Sequence, residues 1–219
     1  MADCAQASLW LTAEVLLWSM LLQLVVGAGL GWLMARRTFS GKGVLDAMVM
    51  LPLIFPPIVL GYALLVALGR NGWLMQALPS ALRPELVFAT PGLVIAAFVA
   101  GLPLMVKPVQ TAFMGVPARL REAAATLGER PWTVFWRVEW PLARRGIAAG
   151  LILSGGRALG EVGISLMLGG NISGRTETLS LAIYNSVLDG QFDCANQLSL
   201  LLVGMSALAF FLLKRYGTI

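Results

Sequence analysis

Arg157 and Glu161 stand in RALGEVG, inside GIAAGLILSGGRALGEVGISLMLGG, a long run of small and apolar residues. Unpaired at the centre of a lipid-embedded helix, each would cost about 2.5–3.5 kcal/mol on insertion scales. Their four-residue spacing places them on one helix face, where they can pair. Two kinds of chemistry follow. A neutralised pair can anchor its helix against neighbours, if need be through a carbonyl of a broken helix. Gly155, Gly156, Gly160 and Gly163 allow close backbone approach around the pair and favour that reading. Alternatively, Arg157 lends positive potential to an anion route, although a strong fixed cation would trap a dianion instead of passing it on.

Other chemistry is sparse. The chain has no histidine, which excludes imidazole acid–base catalysis and metal sites of the histidine type. It has no G-x-x-x-x-G-K-[ST] phosphate loop, so it cannot bind ATP in that way. Cys4 and Cys194 are the only cysteines. They read as two unrelated thiols, with a disulfide between the N-terminal tail and the last outer loop as the alternative.

The elements that must position these residues are membrane helices. The 219 residues are 58% hydrophobic and 12% charged, with a mean hydropathy of +0.80. A soluble domain of this size needs far more polar surface. A bilayer-spanning helix takes about 20 mostly apolar residues. Five segments qualify, at about 11–35, 47–69, 86–106, 146–169 and 198–213. The third can continue past Pro103 and Pro108, because lipid-buried helices tolerate proline when neighbours satisfy the freed carbonyls. Pro56 and Pro57 fall inside the second span, as a functional break or a tolerated kink. The flank MADCAQAS lacks a basic region, so the first segment reads as a retained helix and not a signal peptide. One transmembrane domain, all-α, occupies 1–219.

The formal charge of +5 is a topology signal. Arg36, Arg37 and Lys42 follow the first span; Lys107, Arg119, Arg121, Arg130, Arg137, Arg144 and Arg145 lie around the loop between the third and fourth; Lys214 and Arg215 follow the fifth. The opposite loops hold only Arg70, Arg83 and Arg175. By the positive-inside rule the N-terminus is outside and the C-terminus cytoplasmic. The outer segment GGNISGRTETLS then brings Gly170, Asn171, Ser173, Arg175 and Thr176 to the outer mouth. These can form a turn that donates hydrogen bonds, or an ordinary glycine-rich turn after a helix. Asp189 and Asp193 can meet a basic partner surface or remain solvated loop charges.

The largest polar segment is the inner loop, about 107–145, and its part at about 115–142 is helical in composition. Pro117 suits the first turn of a helix. ARLREAAATL is rich in helix formers, and Leu120, Ala123, Ala124 and Leu127 make one narrow apolar face. Gly128 is a C-terminal stop, and Pro131 can open a second short helix. Trp132, Phe135, Trp136 and Trp140 suit the headgroup region. The loop thus reads as a helix–turn–helix on the inner membrane face. A plain connector does not need a run of alanines. A nucleic-acid reader tethered to spans at both ends has little freedom to enter a groove. Close docking of a partner protein suits a small-residue face backed by charge.

EAAATLGERPWTVFWRVEWP, 122–141, resembles the EAA motif of ATP-binding-cassette importer permeases. Glu122, Ala123, Ala124 and Gly128 match that pattern, Val138 takes its aliphatic place and Pro141 ends it; Trp140 replaces the usual leucine. Residues 38–74, 101–113 and 157–187 look like the oxyanion permeases of that superfamily, of the molybdate type, with sulfate and tungstate permeases as near relatives. The resemblance implies that 122–141 carries a coupling helix (Glu122, Ala123, Ala124, Leu127, Gly128, Val138, Pro141) which docks on an ATPase. It also implies a homodimer around a central pathway, two ATPase subunits that bind ATP and Mg, an outer substrate-binding protein, and a prokaryotic inner membrane. No nucleic acid and no cofactor within this chain are expected. In that setting Arg157, Glu161, Gly170, Asn171, Arg175 and Thr176 become candidates for the pathway or its gate.

Overall fold

The structure, a computed structural model, describes the backbone of residues 2–77, 79 and 83–216, and the side chains of these residues apart from 2–6, 213 and 216. Every regular element among them is a helix. Helix α1 comprises Ala2–Leu22, a widened π turn at Gln23–Gly27, and Ala28–Arg36. It is followed by α2 (Lys42–Ile54), α3 (Pro57–Leu68), the single turn α4 (Trp73–Gln76) and α5 (Thr90–Met114). Helix α6 is Ala118–Thr126. Helix α7 starts at Pro131–Val134, passes through a second π turn, Phe135–Glu139, and continues as Trp140–Leu159. Then come α8 (Gly163–Gly169), α9 (Leu179–Leu188) and α10 (Phe192–Tyr216).

Four of these stretches, Ala7–Arg36, Pro57–Gln76, Thr90–Met114 and Phe192–Leu212, are long and apolar enough to cross a membrane, and the bent pair α7–α8 makes up to five. Helix α5 is the axis of the bundle and the most buried span. It can be central because it is lined with small residues: Gly92, Ala96, Ala97, Ala100 and Gly101 are all buried. Helix α7 meets it with Ala143, Ile147, Gly150 and Ser154. A Cβ at Gly150 would lie 2.9 Å from Met105 Sδ, and one at Gly31 of α1 would lie 2.9 Å from the Val106 carbonyl. Without an aqueous driving force between spans, such close backbone packing is what holds membrane helices together. Around this axis, Ala28, Met105, Val109, Phe113, Ala143 and Ile147 form one buried cluster, and Ala96, Ala100, Ile164 and Leu168 another.

Pro103 and Pro108 lie inside α5, which runs unbroken to Met114, beyond the expected end at 106. The prolines at 56 and 57 act differently. The second span expected at 47–69 is interrupted: α2 stops at Ile54 and α3 starts at Pro57, with Phe55 at ψ 145° and Pro56 at ψ 130°. A residue before proline is pushed out of the helical region, and here two such residues follow one another. Between the fourth and fifth spans, α9 buries Leu179, Leu181 and Ala182. Cys194 is a free, half-buried thiol, while the side chain of Cys4 lies outside the described residues.

Candidate translocation and coupling sites

The fourth span bends by 65° between α7 and α8, and Glu161 sits in that break. Gly160 terminates α7, and the Glu161 N–H donates to the Ala158 carbonyl at 3.2 Å. One carboxylate oxygen, Oε1, accepts the Ile164 N–H at 2.8 Å and so caps the first turn of α8. The other, Oε2, lies 2.6 Å from Arg157 Nη1. The two side chains differ in cover: Glu161 is 1% exposed and Arg157 29%. The guanidinium therefore keeps a face that this chain leaves open. Ser180 of α9 donates its hydroxyl to the Leu159 carbonyl, one of the groups left without a helical partner at the break.

The two interrupted spans meet at their breaks. A Cβ on Gly163 would fall 2.7 Å from Pro57 Cβ, and one on Gly61 would fall 2.9 Å from the Ile164 backbone. Irregular backbone at membrane depth is tolerated only inside protein or along a water-filled cavity. Here each break is partly covered by the other. This contact brings residues far apart in sequence into one site.

Beyond α8, Gly170 and Asn171 both adopt left-handed backbone, at φ 72° and 50°. Gly170 closes α8 with its N–H on Leu166, and a Cβ there would strike the Phe88 ring at 2.5 Å. The Asn171 amide pairs with that of Asn185, donating at 2.6 Å. Asn185 also donates to Glu177. Thr176 is wholly buried; its hydroxyl donates to the Gly169 carbonyl at 2.6 Å and accepts the Ile172 N–H at 2.9 Å. Thr176 therefore closes the turn and presents no donor at its surface. Arg175 is exposed, bordering cavities of about 240 and 350 Å³. Arg157 and Glu161 thus form one cluster, and Asn171, Arg175 and Thr176 belong to a separate turn.

At the other end, Pro117 is the residue before α6 (φ −58°, ψ 132°), one position earlier than expected. The helix closes in a Schellman turn: the Gly128 N–H donates to Ala125 and the Glu129 N–H to Ala124, with Gly128 at φ 78°. Nothing lies within 4 Å of a Cβ at Gly128, so its glycine serves the backbone conformation alone. No residue of α6 is buried. Glu122 and Ala123 are exposed, Ala124 is half-covered, and Leu127 is 84% exposed. The apolar face read from the spacing is present, and this chain leaves it open. Pro131 starts a helix as expected, but that helix does not stay short; it runs on as the fourth span. Val138 is half-buried in the π turn and Pro141 exposed just after it.

Glu139 was not singled out by the sequence, and it is the most connected acid in the molecule's described part. Its carboxylate, 8% exposed, takes the Trp32 indole N–H at 3.2 Å and lies 3.0 Å from Arg36 Nε and 3.7 Å from Arg121 Nε. A lone carboxylate inside the aromatic run FWRVEW, beside a span, was the available signal. The aromatic rings of this run pack on one another: Phe135 stacks on Phe113 and Trp132 and meets Trp32 edge-on, at centroid distances of 5.7–6.1 Å. Other ion pairs at this end join Lys107 to Asp46 and Arg137 to Glu129.

A helical bundle with two spans broken against each other, and an uncovered helix between its third and fourth spans, defines a polytopic membrane transport subunit. Residues 27–217 match the family of binding-protein-dependent transport system inner membrane components, and the chain belongs to that family. It is 37% identical to the molybdenum transport system permease protein ModB of Haemophilus influenzae, over 82% of this chain and 77% of the relative. ModB of Escherichia coli K12 is 40% identical over 77% of this chain and 74% of its own. The sulfate transport system permease protein CysW of Synechocystis is 32% identical over 97% and 78%. Among solved structures, the inward-facing MetNI methionine ABC transporter shares the fold at a TM-score of 0.71, with 20% identity over 95% of this chain and 92% of that one. The protein is a multi-pass component of the inner membrane.

Proposed function

We propose that the chain is the permease of an ATP-driven importer for molybdate or a related tetrahedral oxyanion. Two copies would enclose the pathway, two ATPase subunits would bind ATP and Mg at the basic end, and a substrate-binding protein would deliver the anion opposite. The observation that carries this reading is α6: a helix with the Glu122-Ala123-Ala124 and Gly128 pattern, none of whose residues is buried by its own chain. An exposed Leu127 beside alanines that permit close approach suits a groove on a partner. Molybdate as cargo is supported by the relatives named as molybdenum permeases. The distribution of basic residues supports a cytoplasmic α6 and an N-terminus outside.

Arg157 suits a positioning role more than a fixed anion site. Its charge is held by Glu161 at 2.6 Å, while its open face can still shape the potential of the pathway. Arg175, on the outer turn, is the better placed cation for an arriving anion or binding protein. The experiment is reconstitution in liposomes with the ATPase and binding protein, following labelled molybdate. ATP-dependent molybdate uptake is the expected result; uptake by this chain without an ATPase would overturn it. Sulfate is the second reading, favoured by the similarity to CysW across 97% of this chain. Competition between the two oxyanions for uptake separates them.

A further inference from the structure

We infer that Glu139 is a positioning residue that ties α6 to the membrane spans, so that displacement of α6 reaches α1 and α7 together. The inference rests on α6 being an ATPase-docking helix. The Glu139 carboxylate joins three elements: from the π turn within α7 it holds Arg36 and Trp32 of the end of α1 and Arg121 of α6. Helix α6 buries no residue in the bundle, so its packing alone gives it little grip on the spans. A charge contact in a covered setting supplies that grip, because low local dielectric strengthens it.

The geometry also separates a near partner from a far one. Arg36 is the near partner at 3.0 Å and stays with Glu139; Arg121 at 3.7 Å is the loose one. Movement of α6 can shorten or release the Arg121 contact while Arg36 retains the carboxylate. The rings of Phe135, Trp32 and Trp140 pack around the same turn and hinder Glu139 from swinging outward. A π turn is a wider, less regular coil than the α-helix and is often found at functional sites. Glu139 lies at its last position.

The test uses the full transporter in liposomes and reads molybdate taken up per ATP hydrolysed. ATP-driven uptake by the wild type first checks the function itself; its absence would count against the proposed function, whatever the variants do. Given that uptake, Glu139→Gln keeps the size of the side chain and an acceptor for Trp32 but removes the charge. We expect a drop in uptake per ATP of at least about fivefold, the lower range of typical coupling between sites. Arg36→Gln together with Glu139→Gln leaves no charge stranded between these two. It should recover thermal stability yet keep the low ratio; a wild-type ratio in this double variant would mean that the cluster is only structural. Arg121→Gln removes the α6 arm while Glu139 keeps Arg36, and it should lower the ratio in an assembled complex. An unchanged ratio in Arg121→Gln refutes the inference, even where Glu139 variants fail to fold.

Discussion

Arg157→Gln should destabilise the subunit more than Glu161→Gln, although both break the same ion pair. The reason is unequal cover. Arg157→Gln strands Glu161, whose side chain is 1% exposed, with only the Ile164 N–H for support. Breaking a buried pair in this way costs about 3–5 kcal/mol. Glu161→Gln leaves an oxygen to accept the Ile164 N–H, so the cap on α8 persists. It strands Arg157, which is 29% exposed and has an open face, so the cost should fall to about 1–2 kcal/mol. Glu161→Ala loses the cap as well and adds about 1 kcal/mol. The double variant Arg157→Gln, Glu161→Gln should recover about 1–3 kcal/mol relative to the sum of the singles. Reversible unfolding in mixed micelles, followed by circular dichroism, measures all four. If Glu161→Gln costs as much as Arg157→Gln, or the double variant is no better than additive, the pair does not hold the break together.

Gly128→Ala should weaken recovery of the ATPase with the permease, through about 1–2 kcal/mol of left-handed strain, whereas Gly128→Asn should be milder; pull-down against a titrated ATPase checks the order. Glu122→Arg should abolish that pull-down yet change the permease's own stability by less than about 0.5 kcal/mol, because Glu122 is exposed and no residue of α6 is buried. Thr176→Val removes two hydrogen bonds inside a fully covered turn and should cost about 1–3 kcal/mol, seen as a lowered melting temperature. Gly61→Leu should separate the two breaks, since even a Cβ there falls 2.9 Å from the Ile164 backbone, and a loss of folded yield on size exclusion would register it.

Local chemistry made part of this molecule legible. Gly128 follows a helix-forming run, so a left-handed cap could be read directly, and the structure has it at φ 78°. Glu122, Ala123, Ala124 and Gly128 lie in one short segment, so their pattern survives without knowledge of the fold. The pairing of Arg157 with Glu161 followed from four-residue spacing. That the same carboxylate caps α8 did not, because it depends on where the helix breaks. Thr176 and Arg175 are adjacent and both polar, yet one is buried and the other exposed; only the path of the turn separates them.

By itself, the sequence determined that this is a multi-span helical membrane protein with a basic loop, because apolar length and charge distribution are properties of the chain. The tertiary structure alone decided which irregularities matter. Pro103 and Pro108 leave α5 continuous, whereas Pro56 and Pro57 interrupt a span. Proline restricts the residue before it, and two in succession remove the helical option twice. Glu139 gained its partners only when the ends of α1, α6 and α7 came together, since Arg36 and Glu139 are distant in sequence. Charges separated in this way have no spacing to reveal them; their pairing is set by helix packing.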